Sequence, residues 1–494
     1  MIRAGRFSEP TLLVASFFRS LTTHSLARRS IGSNKHDHSH RSGLLRTHRR
    51  RHIHQHRAHP QHVSQDHTHK AAPQAGPIAI ANATIHPDSK PAFQGFIIFD
   101  QGKITMMQEG ELKDAREGVR IIDASGKHVY PGLIAPWTQL GLTEFQSVPA
   151  TQDLAEVASI APEASPAIAV NPDSTLIPVT RSNGILIAGI FPEGGLIPGQ
   201  ASVIRMDGWT MADKTVRATS GIVLRWPQMR TITAWWMDTS EDDQRRDITR
   251  NLTRMREVFD TAQAYANAIG TDPSQPTDLR WEAMRPLFAA PQPGIADARP
   301  RLFILANDLD QISAAVAFAR ERSLRAAIVG GRDAHLCAQL LKDNNIPVIL
   351  TGTHVMPRRD DADYDEGFTR PLRLHEAGLT FAIAHMDDTA HERNLPYSAA
   401  IAAAHGLPRD AALNAITLAP AQILGIDDQY GSLETGKSAT LIITTGDPLE
   451  VTTQIQSAFI DGREIDLSNK QTKLYEKYRD RYQQMGVIEK EPAK

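Results

Sequence analysis

The chain has 494 residues, of which 41% are hydrophobic and 22% are charged, and its formal net charge at pH 7 is −2. These values are typical of a folded globular protein and exclude a collagen-like or wholly disordered chain. A net charge so close to zero gives no bulk attraction to nucleic acid, so we expect no nucleic-acid partner. No apolar run approaches the roughly 18 residues that a membrane-spanning helix needs, so we expect no membrane partner either.

Residues 1–70 differ from the rest, with 13 Lys and Arg against 3 Asp and Glu, and with 12 of the 20 histidines. Three interpretations compete: closely spaced imidazoles that capture zinc, nickel or copper, an Arg- and Ser-rich targeting segment, and a disordered leader with little to bury. We favour the last, and we predict that residues 1–76 form a basic, histidine-rich, disordered leader outside the fold.

Short β patterns occupy both ends of the remaining chain and are separated by Gly, Asp and Ser turns. The predicted strands are 78–85, 95–100, a strand from 103, 119–123 and 127–130 at the beginning, and 439–445 and 457–460 at the end. We therefore predict a small β-sandwich domain built from residues 77–130 and 426–465. Residues 466–494 are predicted to form a C-terminal charged helix.

The long middle segment alternates short β patterns with helical ones, which is typical of βαβ units and a parallel sheet. The predicted strands are 302–306, 326–329, 348–351 and 380–384, and the predicted helices are 311–322, 334–344 and 398–405. Nearly 300 residues of this pattern favour an α/β fold with a (β/α)8 TIM-like barrel over residues 131–425.

In four segments the chain resembles the amidohydrolase superfamily, in particular its imidazolonepropionase-like and dipeptidase-like branch. The segments occur in the family's order and together cover roughly residues 78–465. They are 123–134, which ends in Pro-Gly-Leu-Ile, the glycine-rich segment 194–204, the pair 394–397 and 413–425, and the closing segment 431–437.

The resemblance implies a hydrolase that acts on C–N bonds of amides or dipeptides. In that superfamily one or two divalent metals activate a water molecule, and a carboxylate transfers the proton. The family's ligands lie at the carboxyl ends of the barrel strands: a His-x-His pair on the first strand, a Lys or Glu midway, two single histidines, and an Asp on the last strand. Each position can be compared with this chain.

Most of those positions carry other residues here. Trp137 and Gln139 stand where the resemblance places the histidine pair, and Leu305 and Gly330 stand where it places the single histidines. An indole has no lone pair for a metal, and a Gln amide oxygen is a weak neutral ligand. The resemblance leaves Asp387 as the family's terminal Asp and as the one candidate catalytic residue.

Three hypotheses about function stay open. The first is a degenerate member without metal catalysis, a pseudoenzyme that serves as a ligand-binding or assembly barrel and takes a small molecule at its mouth, over Trp137 and Gln139. The second is an active hydrolase with a single divalent metal, zinc, at a non-standard site. The third is a histidine-rich metal buffer on an inert carrier. The candidate residues of the second site are His354, His385, Asp387 and His391.

Substrate and self-association are not decided by the sequence, and a homo-oligomer stays open. The compartment is open too. The single Cys337 excludes an intrachain disulfide and a thiolate zinc cage. It fits a reducing cytoplasm, which we favour slightly, and it also fits an exported protein without disulfides.

Overall fold

The computed structural model of the chain describes residue 66 and residues 68–113, 117–233, 238–291, 297–358, 362–385 and 388–489. Most of the predicted leader lies outside the described residues, and so does Asp387. Within the described ranges, no helix is long and apolar enough to cross a membrane.

The strands are β1 (Ile78–Ile85), β2 (Phe93–Asp100), β3 (Lys103–Glu109), β4 (Arg120–Asp123), β5 (His128–Pro131), β6 (Leu133–Thr138), β7 (Ile185–Ile190), β8 (Gly199–Arg205), β9 (Thr215–Arg225), β10 (Arg301–Ala306), β11 (Ala326–Gly330), β12 (Val348–Thr351), β13 (Phe381–Ala384), β14 (Leu441–Thr444), β15 (Ile455–Ile460) and β16 (Arg463–Glu464).

The α-helices are α1 (Pro166–Ala169), α2 (Leu176–Arg181), α3 (Met211–Lys214), α4 (Glu241–Thr271), α5 (Leu279–Met284), α6 (Leu309–Glu321), α7 (Ala338–Asp343), α8 (Glu366–Glu376), α9 (Leu395–Ala404), α10 (Arg409–Asn414), α11 (Leu418–Leu424) and α12 (Lys470–Gln484). Short 3-10 helices lie at Pro149–Thr151, Arg285–Phe288, Ala334–Cys337 and Thr389–Asn394.

The first sheet joins strands from the two ends of the chain in the order β16-β15-β14-β5-β1-β2-β3, with β4 paired beside β1. The two ends meet where β5 pairs antiparallel with β14, which sets Pro131 opposite Leu441 and His128 opposite Thr444. Apolar side chains of β1, β2 and β15 contribute to its core, among them Ile78 and Ile80 at alternate positions of β1. That this sheet forms the two layers of a sandwich stays a prediction.

The second sheet has the order β6-β7-β8-β9-β10-β11-β12-β13 and forms a nearly closed barrel. Its two outer strands are bridged by the segment before α11: Ile383 N–H donates to Ala415 O over 2.9 Å, and Ile134 N–H donates to Ile416 O over 2.8 Å. Helix α11 then packs against the apolar interior through Ala421, Ile423 and Leu424. The barrel therefore encloses a packed core, as this fold requires.

The expectation of a uniformly parallel barrel is wrong at one strand. β8 runs antiparallel to both β7 and β9. The connection from β7 to β8 spans only residues 191–198, which is too short for the crossover of roughly a dozen residues that parallel neighbours need. The chain therefore turns back as a hairpin at the segment that the sequence marks as glycine-rich.

The folded body begins before the predicted boundary at residue 77. Asp66 N–H donates to Asp173 O over 2.7 Å, and Ala71 N–H donates to Asp207 Oδ2 over 3.1 Å. The Thr68 hydroxyl oxygen accepts a hydrogen bond from Arg181, whose side chain is fully buried. Since a buried guanidinium needs acceptors for its N–H groups, this short segment contributes to the core.

Candidate functional site

A cluster of buried apolar side chains fills the barrel interior. The buried side chains that fill it come from every strand of the second sheet and from α11, and include Ile187, Phe191 and Phe303. Trp137 at the end of β6 and Leu305 near the end of β10 are partly buried and pack against this same interior cluster. At the mouth, two of the positions to which the resemblance assigns histidines therefore hold inward-facing apolar groups.

Gly330, at the end of β11, occupies a place where no side chain fits without strain. Its φ is +103°, a conformation that favours glycine. A Cβ built there would lie 2.6 Å from Asn307 Oδ1, and Asn307 follows β10 directly. The space at the end of β11 is therefore occupied by the side-chain amide of Asn307, which follows the neighbouring strand β10.

The first strand ends in a polar pair that points away from the interior cluster. Glu392, in the 3-10 helix Thr389–Asn394, is buried and accepts a hydrogen bond from the Thr138 hydroxyl. Burial raises the pKa of Glu392 to about 8, against the lowering effect of that bond. Gln139 follows Thr138, and in the described part of the chain its buried Nε2 has no hydrogen-bond partner.

A pocket of about 500 Å³ opens beside the barrel axis, between the loops that follow β12 and β13 and the start of α9. His385 follows β13 directly, and its Nδ1 lies 3.0 Å from Ser398 Oγ on α9, so its ring is directed toward that helix. Thr353 is buried, and among the described residues its hydroxyl has no hydrogen-bond partner. The described lining residues are Gly352, Thr353, His354, His385, Asn394, Tyr397 and Ser398, none of which is a carboxylate.

The structure brings only some of the sequence candidates together. His354 and His385 line this pocket. His391 is exposed on the 3-10 helix and is not among the lining residues. Asp387 lies outside the described residues, so its role stays a prediction. Across the described ranges, no cluster of three or more His, Cys, Asp or Glu side chains is arranged to hold a metal ion.

Sequence reasoning missed Thr353, Ser398, Tyr397 and Glu392. Tyr397 belongs to the segment 394–397 that carries part of the family resemblance, so the motif match itself could have drawn attention to it. Thr353 and Ser398 had none, because a hydroxyl becomes notable only when burial and its partners are known.

The glycine-rich segment 194–204 serves a tight connection. Leu196 N–H donates to Ser159 O over 2.7 Å, and Ala161 N–H donates to Ile197 O over 2.8 Å. A Cβ at Gly195 would lie 2.4 Å from Ser159 O. These glycines allow two backbone segments to approach each other.

The nearly closed barrel and its mouth define a barrel protein of the α/β class, and comparisons with known proteins specify it further. The amidohydrolase family model matches residues 314–465. Amidohydrolase tasK of Hapsidospora irregularis is 24% identical over 397 residues, which are 74% of this chain and 39% of that protein. The chain thus spans about two fifths of the length of this curated relative.

An amidohydrolase from Thermotoga maritima MSB8 has the same barrel fold, with a TM-score of 0.66 and 22% identity over 78% of this chain and 99% of that one. Together with the family match, this confirms the resemblance to the amidohydrolase superfamily that the sequence motifs carry.

We expect Gly330→Ala to lower the free energy of unfolding by about 2 kcal/mol, because the backbone would be strained and the added Cβ would lie 2.6 Å from Asn307 Oδ1 and 3.1 Å from the backbone oxygen of Ala306. Gly436→Ala is the matched control: its φ of +94° is similar, but nothing lies within 4 Å of its built Cβ. The control should lose only about 1 kcal/mol. Urea unfolding of both variants measures the difference. Equal losses in the free energy of unfolding would contradict the claim that Asn307 occupies the space beside Gly330.

The titration of Glu392 predicts a pH-dependent stability. Its folded-state pKa of about 8 lies above the value of an unfolded Glu, so its contribution is complete below pH 4 and is lost as the pH rises toward 8. Glu392→Gln should therefore gain stability relative to the wild type between pH 5 and pH 8. Chemical unfolding at both pH values, with exposed Glu156→Gln as control, measures this. A wild type and variant with parallel pH profiles would contradict a buried, titrating Glu392.

Proposed function

We propose that this protein is an amidohydrolase-related barrel that binds a small polar molecule beside its mouth and does not carry out metal-dependent C–N hydrolysis. The observation that carries the proposal is the inward packing of Trp137 and Leu305 on the apolar interior. Where the family's metal would sit, this barrel presents hydrocarbon and indole surface.

The described residues do not fit a divalent metal at the family's position. Trp137 and Leu305 offer no lone pair, and Gly330 offers no side chain at all. Gln139 could supply only one neutral oxygen, and zinc in proteins takes three or four His, Cys or carboxylate ligands. Even with Asp387 added, the set is too small, so we derive no reaction step through a metal.

The pocket beside the mouth supports the binding half of the proposal. Its described lining offers hydroxyl, imidazole and amide groups and no carboxylate, which suits a ligand that both donates and accepts hydrogen bonds. Among the described residues the buried Thr353 hydroxyl has no hydrogen-bond partner, and an unsatisfied buried hydroxyl costs about 1–3 kcal/mol in a folded protein. A ligand oxygen or N–H would satisfy it. Cyclic amides and dipeptides, the classes implied by the family resemblance, carry both kinds of group.

One observation favours a second candidate function, hydrolysis without a metal. Ser398 Oγ and His385 Nδ1 are 3.0 Å apart in the same pocket, within the range over which an imidazole can activate a hydroxyl. The same contact also serves as a packing bond between β13 and α9. Metal-free turnover that depends on the Ser398 hydroxyl would separate this candidate from simple binding.

Ligand-observed NMR with a panel of cyclic amides and dipeptides, recorded in the presence of zinc, tests the proposal. We expect at least one compound to bind and to stay intact. Thr353→Val should weaken its binding about tenfold, the effect of one lost hydrogen bond of about 1.4 kcal/mol. Thr105→Val, at an exposed hydroxyl on β3, is the matched control and should bind normally.

Zinc-dependent turnover of any compound would contradict the proposal. Turnover without added metal that is lost in Ser398→Ala would favour the second candidate. Binding that Thr353→Val leaves unchanged would show that the pocket beside the mouth is not the site.

A further inference from the structure

A second cleft, of about 370 Å³, lies at the end of the barrel opposite the mouth. It is bounded by the start of β10, by the turns that precede β12 and β13, and by α11. Arg301 and Lys342 are the only charged groups among its described lining residues. The other described lining residues are uncharged, and Asn345, Thr380 and Gln422 are the polar ones among them.

Arg301 enters this cleft with hydrogen-bonding capacity to spare. Its Nε donates to Ile423 O over 2.9 Å, its Nη1 to Ala326 O over 3.3 Å, and its Nη2 to Gln422 O over 3.5 Å. These bonds use three of the five N–H groups of a guanidinium, and all three acceptors are backbone carbonyls. In the described part of the chain, no carboxylate forms an ion pair with it.

Positive charge is in excess around the cleft. Burial, and next the like charge of Arg325, lower the pKa of Arg301 to about 9. Two acids, Asp297 and Asp427, oppose this effect, and Asp297 is already bound by Arg299 over 2.8 Å. Lys342 is exposed, and its Nζ is 3.4 Å from Ala377 O.

Capping of α11 explains part of this arrangement. Arg301 satisfies carbonyls at the carboxyl end of that helix, a favourable place for a cation. Capping does not account for its remaining N–H groups, or for Lys342 on the same cleft. A bound anion would satisfy the free donors and offset the repulsion between Arg301 and Arg325.

We propose that this cleft is an oxyanion-binding site, in which Arg301 and Lys342 bind the phosphate or carboxylate group of a small anion. The site is independent of the pocket beside the mouth. Its volume fits a compound of a few heavy atoms.

Calorimetric titration of the full chain with inorganic phosphate, and separately with succinate, at constant ionic strength tests the site. We expect saturable binding of one anion per chain, and Lys342→Ala should weaken it at least tenfold. Lys342 is exposed, so this variant should fold. Lys477→Ala, on the surface of α12, is the matched control and should bind as the wild type does.

Binding of phosphate alone assigns the site to phosphorylated compounds, and binding of succinate alone assigns it to carboxylates. Either result supports the proposal when Lys342→Ala weakens it and Lys477→Ala does not. Absence of saturable heat with both anions would overturn it. So would equal binding by the wild type and Lys342→Ala.

Discussion

The apolar packing of the barrel interior is the constraint on which the rest of this structure depends. Side chains from every strand of the second sheet fill the barrel, helix α11 closes its floor, and Trp137 and Leu305 extend the same cluster to the mouth. A dry interior of this kind stabilises the fold, since burial of apolar area is its largest favourable contribution. It also places apolar surface at the mouth, where Trp137 and Leu305 occupy positions to which the family resemblance assigns metal ligands.

Two polar contacts lie next to inward-facing residues at the strand ends. Thr138 and Glu392 meet behind the first strand, and His385 and Ser398 meet between the last strand and α9. Both contacts follow from the alternation of a β-strand, because residues next to an inward-facing one point outward.

The elements that sequence reasoning predicted well are those decided by local pattern. The expected strands at 78–85 and 348–351 match β1 and β12, because a run of alternating or continuous apolar residues between turns specifies a strand. The hairpin at β8 was missed, since strand direction depends on the length of a connection and on what packs beside it.

The candidate site was less predictable. His354 and His385 were selected from the sequence and do share a pocket, but their uncharged hydrogen-bonding neighbours Thr353 and Ser398 were not. Hydroxyl residues are common on surfaces, and only the three-dimensional structure shows that Thr353 is buried with no hydrogen-bond partner in the described part of the chain. The cleft at Arg301 could not be predicted from the sequence either, because its lining comes from four distant segments of the chain.

Metal stoichiometry is the most direct test of the central claim that the apolar mouth holds no catalytic metal. Elemental mass spectrometry after exposure to zinc and dialysis should be done on the full chain and on a chain that begins at Asp66, so that the histidine-rich leader is separated from the barrel. The account predicts that the shorter chain retains no stoichiometric metal, whatever the full chain retains. One or more zinc ions per shorter chain, lost in Asp387→Ala, would contradict it.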